Sequence, residues 1–158
     1  MLLRHGVLAV ALVAACAALA AAGHSASAQE RPAAVAHTCG LTDREFLSVY
    51  STNLTGVGMY GLDYLDGSAK PREVIQAAHD AAVMMRNSAP LDPSLRTVKH
   101  LAPAMFLEYG DAVQARETGR NPRNHMYKAY NVGARIQDVL RDAQPGLAAK
   151  GCDVTDLL

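Results

Sequence analysis

The sequence predicts an all-α fold: an up-down-up-down four-helix bundle with a disulfide across its termini. Three observations lead there. From Cys39 onward, apolar residues recur at steps of three and four in four successive segments, and no stretch alternates convincingly with period two. Short runs of Gly, Pro and Asn separate the segments, which makes neighbouring helices antiparallel. An even number of antiparallel helices returns the chain to its starting end. Cys39 precedes the first segment and Cys152 follows the fourth, so the two sulfurs should meet.

The first helix opens at Thr42 and Glu45, spaced as a capping box. Its stripe is Phe46, Tyr50, Leu54, Val57, Gly61 and Tyr64, and Gly67 supplies the stop. Pro71 fits the first position of the second helix, whose stripe is Ile75, Ala78, Ala82 and Met85. Asp92-Pro93 reads as a cap followed by proline. Leu95, Val98, Ala102, Met105, Tyr109 and Ala112 follow, and Gly119 ends the third helix. Pro103 falls inside it, removing an amide donor and crowding the carbonyl of Lys99, so a kink or a break is expected there. Asn121-Pro122 starts the fourth helix. Its stripe is His125, Ala129, Val132, Ile136, Val139, Leu140 and Ala143, with Pro145-Gly146 as the expected stop.

Residues 1–28 read as a secretory signal: a short basic start at Arg4, an Ala/Leu/Val run from Gly6 to Gly23, and the small-residue pattern Ala26-Ser27-Ala28. Two other fates fit the same residues, an uncleaved anchor or lipidation at Cys16. Cleavage after Ala28 leaves residues 29–38 as a small-residue leader and 39–158 as the bundle, with no further segment able to span a membrane. Two cysteines in an exported chain favour a structural disulfide between Cys39 and Cys152. Eleven Arg against four Lys, with abundant Ala, suggests a GC-rich bacterial source. Localisation is therefore expected to be periplasmic, envelope or extracellular.

Fifteen basic side chains balance fifteen acidic ones, which argues against nucleic-acid binding. Gly56-Val57-Gly58-Met59-Tyr60-Gly61 spells a dinucleotide fingerprint, but a helical pattern precedes it where a strand is required. The sequence lacks Glu-x-x-His, Cys-x-x-Cys-His, His-Glu-x-x-His and Gly-x-Ser-x-Gly. No metal-ligand set and no catalytic residue is assigned. The three glycines at 56, 58 and 61 must be compensated, either by a closely packed helix or by a ligand on bare backbone.

His125 shares its face with Ala129, Val132 and Ile136 and should point inward. Glu108 lies beside the Leu101, Met105 and Ala112 row and needs a partner if buried, which His125 could supply. The six tyrosines suggest a polar network inside the bundle. His125, Glu108, Tyr109 and Tyr64 are thus the candidate ligand-binding residues, and haem is the cofactor such side chains could take. These features lead to a non-catalytic exported bundle that works by contact with a protein or envelope component. A carrier of haem, metal or an apolar molecule is the alternative, and an enzyme using a buried His/Glu pair the third.

Overall fold

A computed structural model describes residues 38–158. The signal segment, Cys16 and the leader up to His37 lie outside those residues. Four helices follow one another: α1 (Leu41–Asp66), α2 (Pro71–Asn87), α3 (Pro93–Glu117) and α4 (Arg123–Ala149), with a single 3-10 turn, Thr155–Leu157, after them. Among the described residues there is no strand. Each helix packs chiefly against its neighbours in sequence. Cys39 and Cys152 are bonded, which places the start of α1 and the end of α4 at one end of the bundle.

The core follows the expected stripes with adjustments that register imposes. Phe46, Tyr50, Met85, Leu95, Val98, Phe106, Ile136, Leu140 and Leu147 fill the centre, all almost fully excluded from solvent. Phe46 and Tyr50 lie parallel with ring centres 6.2 Å apart, and Phe106 meets Tyr50 edge-on at 6.5 Å. Burial drives the Tyr50 phenol pKa up to about 12. Small residues bring α2 and α3 close: a Cβ on Gly110 would stand 3.3 Å from that of Ala78. Leu54 and Tyr64, expected inside, are more exposed, and along the second half of α1 only Val57 and Gly61 are buried.

Several termini form as the sequence implies. Gly67 adopts φ 87° at the end of α1, a conformation that glycine enters without steric cost. Asp92 caps α3, accepting from the amides of Ser94 (2.8 Å) and Leu95 (3.4 Å). Two expectations are corrected. The Thr42/Glu45 capping box does not form: Gly40 precedes α1 without a side-chain cap. Asp43 instead is buried and accepts from the amides of Leu91 (2.7 Å) and Asp92 (3.0 Å), tying the α2–α3 loop to α1. Pro145-Gly146 does not stop α4, which runs on to Ala149. Pro145 and Arg141 are both exposed, so the carbonyl that loses its donor is open to water, while buried Leu147 draws the next turn inward. Of the kink or break expected at Pro103, the break does not occur: α3 is continuous from Pro93 to Glu117.

Candidate functional site

The first turns of α4 pack on the second half of α3, and this contact holds a compact group of polar side chains. Glu108 projects from α3 toward α4, where His125 sits one turn past the Asn121-Pro122 start. His125 Nδ1 lies 2.8 Å from Glu108 Oε2, and Lys128 Nζ lies 3.3 Å from Glu108 Oε1. The pair is half-buried: 35% of the His125 side chain and 24% of Glu108 remain accessible. Burial alone would raise the Glu108 pKa. The hydrogen bonds and charges of His125 and Lys128 outweigh it and hold the carboxyl below its ordinary range. The expected pairing is therefore present, at the rim of the bundle rather than at its centre.

Asp111 completes this group. It stands three residues after Glu108 on the same side of α3, and one ligand atom from each of Glu108, Asp111 and His125 lies within 4.8 Å of the others. Sequence reasoning missed Asp111. The Glu-x-x-Asp spacing was visible, but only the register of α4 on α3 brings a histidine to it.

Tyr64 and Tyr109 do not join this group. Glu108 and Tyr109 are consecutive on α3 and so project about 100° apart. Tyr109 turns to α1, where its hydroxyl packs over Gly61. Tyr64 donates to Glu117 Oε1 at 2.6 Å, and Arg116 lies over its ring at 5.3 Å. That hydrogen bond raises the Tyr64 pKa, and burial raises that of Tyr109. Among the described residues Tyr64 is the only tyrosine whose hydroxyl makes a side-chain hydrogen bond, so the expected tyrosine network does not form. The four predicted residues thus occupy two places, the α1–α3 contact and the α3–α4 contact.

The glycines also separate. Gly61 is closely packed, whereas Gly56 and Gly58 have open space where a side chain would be. Gly56 borders an open groove of about 650 Å³ between α1 and α2, with Asn53, Tyr60, Arg72, Gln76 and Asp80. The G-x-G-x-x-G run lies wholly within α1, a setting in which it cannot form a phosphate loop. No protein-family model, no curated protein and no solved structure matches this chain.

Proposed function

We propose that the mature chain is an exported, non-catalytic bundle of the cell envelope or extracellular space that acts by contact with another protein or surface. Export rests on the signal-like residues 1–28 and on the disulfide, which oxidising compartments favour. No helix among the described residues is long and apolar enough to cross a membrane.

One observation carries the contact reading. Among the described residues, most of the exposed large apolar side chains lie in the half of the bundle away from the disulfide, with Leu54, Met59, Tyr60, Leu62 and Leu65 on the second half of α1 and Met126, Tyr127 and Tyr130 at the start of α4, whereas Leu41, Val83, Met84, Leu91 and Leu158 are exposed nearer to it. Single exposed apolar residues are ordinary on a folded surface, but a concentration at one end supports an interaction site. By helical angle, Leu54, Leu62 and Leu65 share an arc of about 80°, turned away from the Asn53, Gly56 and Tyr60 side that faces α2. Tyrosine and methionine also suit contact surfaces, offering apolar area with few torsions or with adaptable shape.

Photo-crosslinking side chains placed at Leu62, Leu65 and Tyr130 in the exporting cell test this reading. An adduct of one common mass is expected from these positions and not from Arg96 or Asp142, and the triple variant Leu62→Asn, Leu65→Gln, Tyr130→Ser should remain folded and lose the association. Absence of any position-specific adduct, or full association by the triple variant, would overturn it. Intact mass of the exported protein, expected to begin at Gln29, tests the compartment separately.

A further inference from the structure

The geometry points to a divalent transition-metal site at the α3–α4 contact, with Glu108, Asp111 and His125 as ligands and Zn²⁺ or Cu²⁺ as the class of ion. This goes beyond the contact reading and does not depend on it. Two helices fix the donors independently. Glu108 and Asp111 are one turn apart on α3, and His125 comes from the first turns of α4. The contact beneath them is close. Ala112, Ala115 and Ala129 are buried beside it, and a Cβ on Gly133 would stand 3.4 Å from the Met105 sulfur. Ligand atoms within 4.8 Å of one another need only side-chain rotation to reach the roughly 2.0–2.2 Å bonds that Zn²⁺ makes to imidazole and carboxylate.

Charge supports the same assignment. Two carboxylates face one ammonium, Lys128, and one imidazole, so a neutral imidazole leaves the group with a net negative charge. Among the described residues Asp111 makes no hydrogen bond and no ion pair, which leaves its carboxylate available as a ligand. Lys128 is 61% exposed and can swing into water when a dication takes its place beside Glu108. One nitrogen and two carboxylate oxygens suit Zn²⁺ or Cu²⁺ rather than Cu(I), which prefers sulfur. The half-exposed rim leaves coordination positions for water or for a ligand from a partner. Both cysteines of the bundle are bonded to each other and cannot compete for the ion.

The test is titration of the exported, oxidised protein with Zn²⁺ against a chromophoric chelator, together with the imidazole NMR signals of the histidines. One ion per chain is expected, with the His125 ring signals shifting and those of His79 and His100 unmoved. His125→Ala should abolish this binding. Asp111→Asn, at an exposed position with no packing role, should weaken it by at least about tenfold, a loss that even outer-shell changes can cause. Lys128→Gln, which removes the competing ammonium, should strengthen it, an effect that a merely structural ion pair would not produce. Absence of stoichiometric binding, binding indifferent to both His125→Ala and Asp111→Asn, or shifts confined to other histidines would each overturn the assignment.

Discussion

Gly56, Gly58 and Gly61 lie within six residues of α1 yet bear different loads. A methyl group on Gly61 would run into the Tyr109 hydroxyl, so Gly61→Ala should destabilise the protein by about 1–3 kcal/mol, the usual range for overpacking. Removing that hydroxyl with Tyr109→Phe should recover part of the loss. Gly56→Ala and Gly58→Ala meet open space and should each stabilise it by about 1 kcal/mol, the difference in helix propensity. Urea unfolding of the four variants measures all of these. The sequence showed three glycines needing compensation but could not tell which one a neighbour covers. Asp92 is a second residue with a legible part and a hidden one. Its cap was readable from Asp92-Pro93, whereas its 2.6 Å ion pair with Lys150 depends on where α4 ends. Burial pushes the Asp92 pKa up, but the Lys150 hydrogen bond, the Ser94 and Leu95 amides and the Lys150 charge bring it below the ordinary range. A pKa lowered by folding contributes stability above the unfolded value, near 4, and loses it as pH falls through the folded one. Asp92→Asn keeps a capping oxygen and should flatten that acid loss. Asp92→Ala should cost about 1–2 kcal/mol near neutral pH in addition. Urea midpoints between about pH 6 and about pH 2 distinguish the two.

Helices were more legible than their ends. The stripes found Phe46, Tyr50, Ala78, Met85, Leu95, Val98, Ile136 and Leu140 because burial on one face of a helix has a fixed period. They missed Phe106 and Val74, since a helix touching two neighbours buries a wider arc than one stripe describes, and Leu147, which lies beyond the stop expected at Pro145-Gly146. Local end signals were weaker still. Thr42 and Glu45 are spaced as a cap, but tertiary demand for Asp43 at the α2–α3 loop begins the helix at Leu41. Pro145 was a reasonable stop, and the helix passes through it for the sake of Leu147 and the covalent link beyond. Pro145→Ala restores an amide donor for the Arg141 carbonyl at an exposed site. It should raise stability by roughly 2–2.6 kcal/mol, the helical penalty of proline less the entropy it removes from the unfolded chain. Thermal unfolding followed by circular dichroism checks this. Pro103→Ala should gain less, because Pro103 is buried and its ring contributes packing.

At the scale of the whole molecule, topology was the most legible property, because helix number and cysteine placement constrain each other. The bond between Cys39 and Cys152 spans 113 residues, for which the chain-entropy model gives roughly 4–5 kcal/mol. Cys39→Ser/Cys152→Ser should lose about that much in urea unfolding, and the wild type should lose a similar amount in reductant. The candidate site was half legible. The His125–Glu108 pair followed from stripe and burial, whereas Asp111 and the division of the tyrosines between two contacts needed the rotation of each helix about its axis. Around the closure cluster Asp43, Asp92 and Lys150, whose hydrogen bonds gather α1, the α2–α3 loop and the end of α4. A tensile load applied between residues 38 and 153 would pass directly through two sulfur atoms and leave all four helices slack. The bundle is mechanically bypassed while oxidised, and only reduction would transfer the strain to the helices.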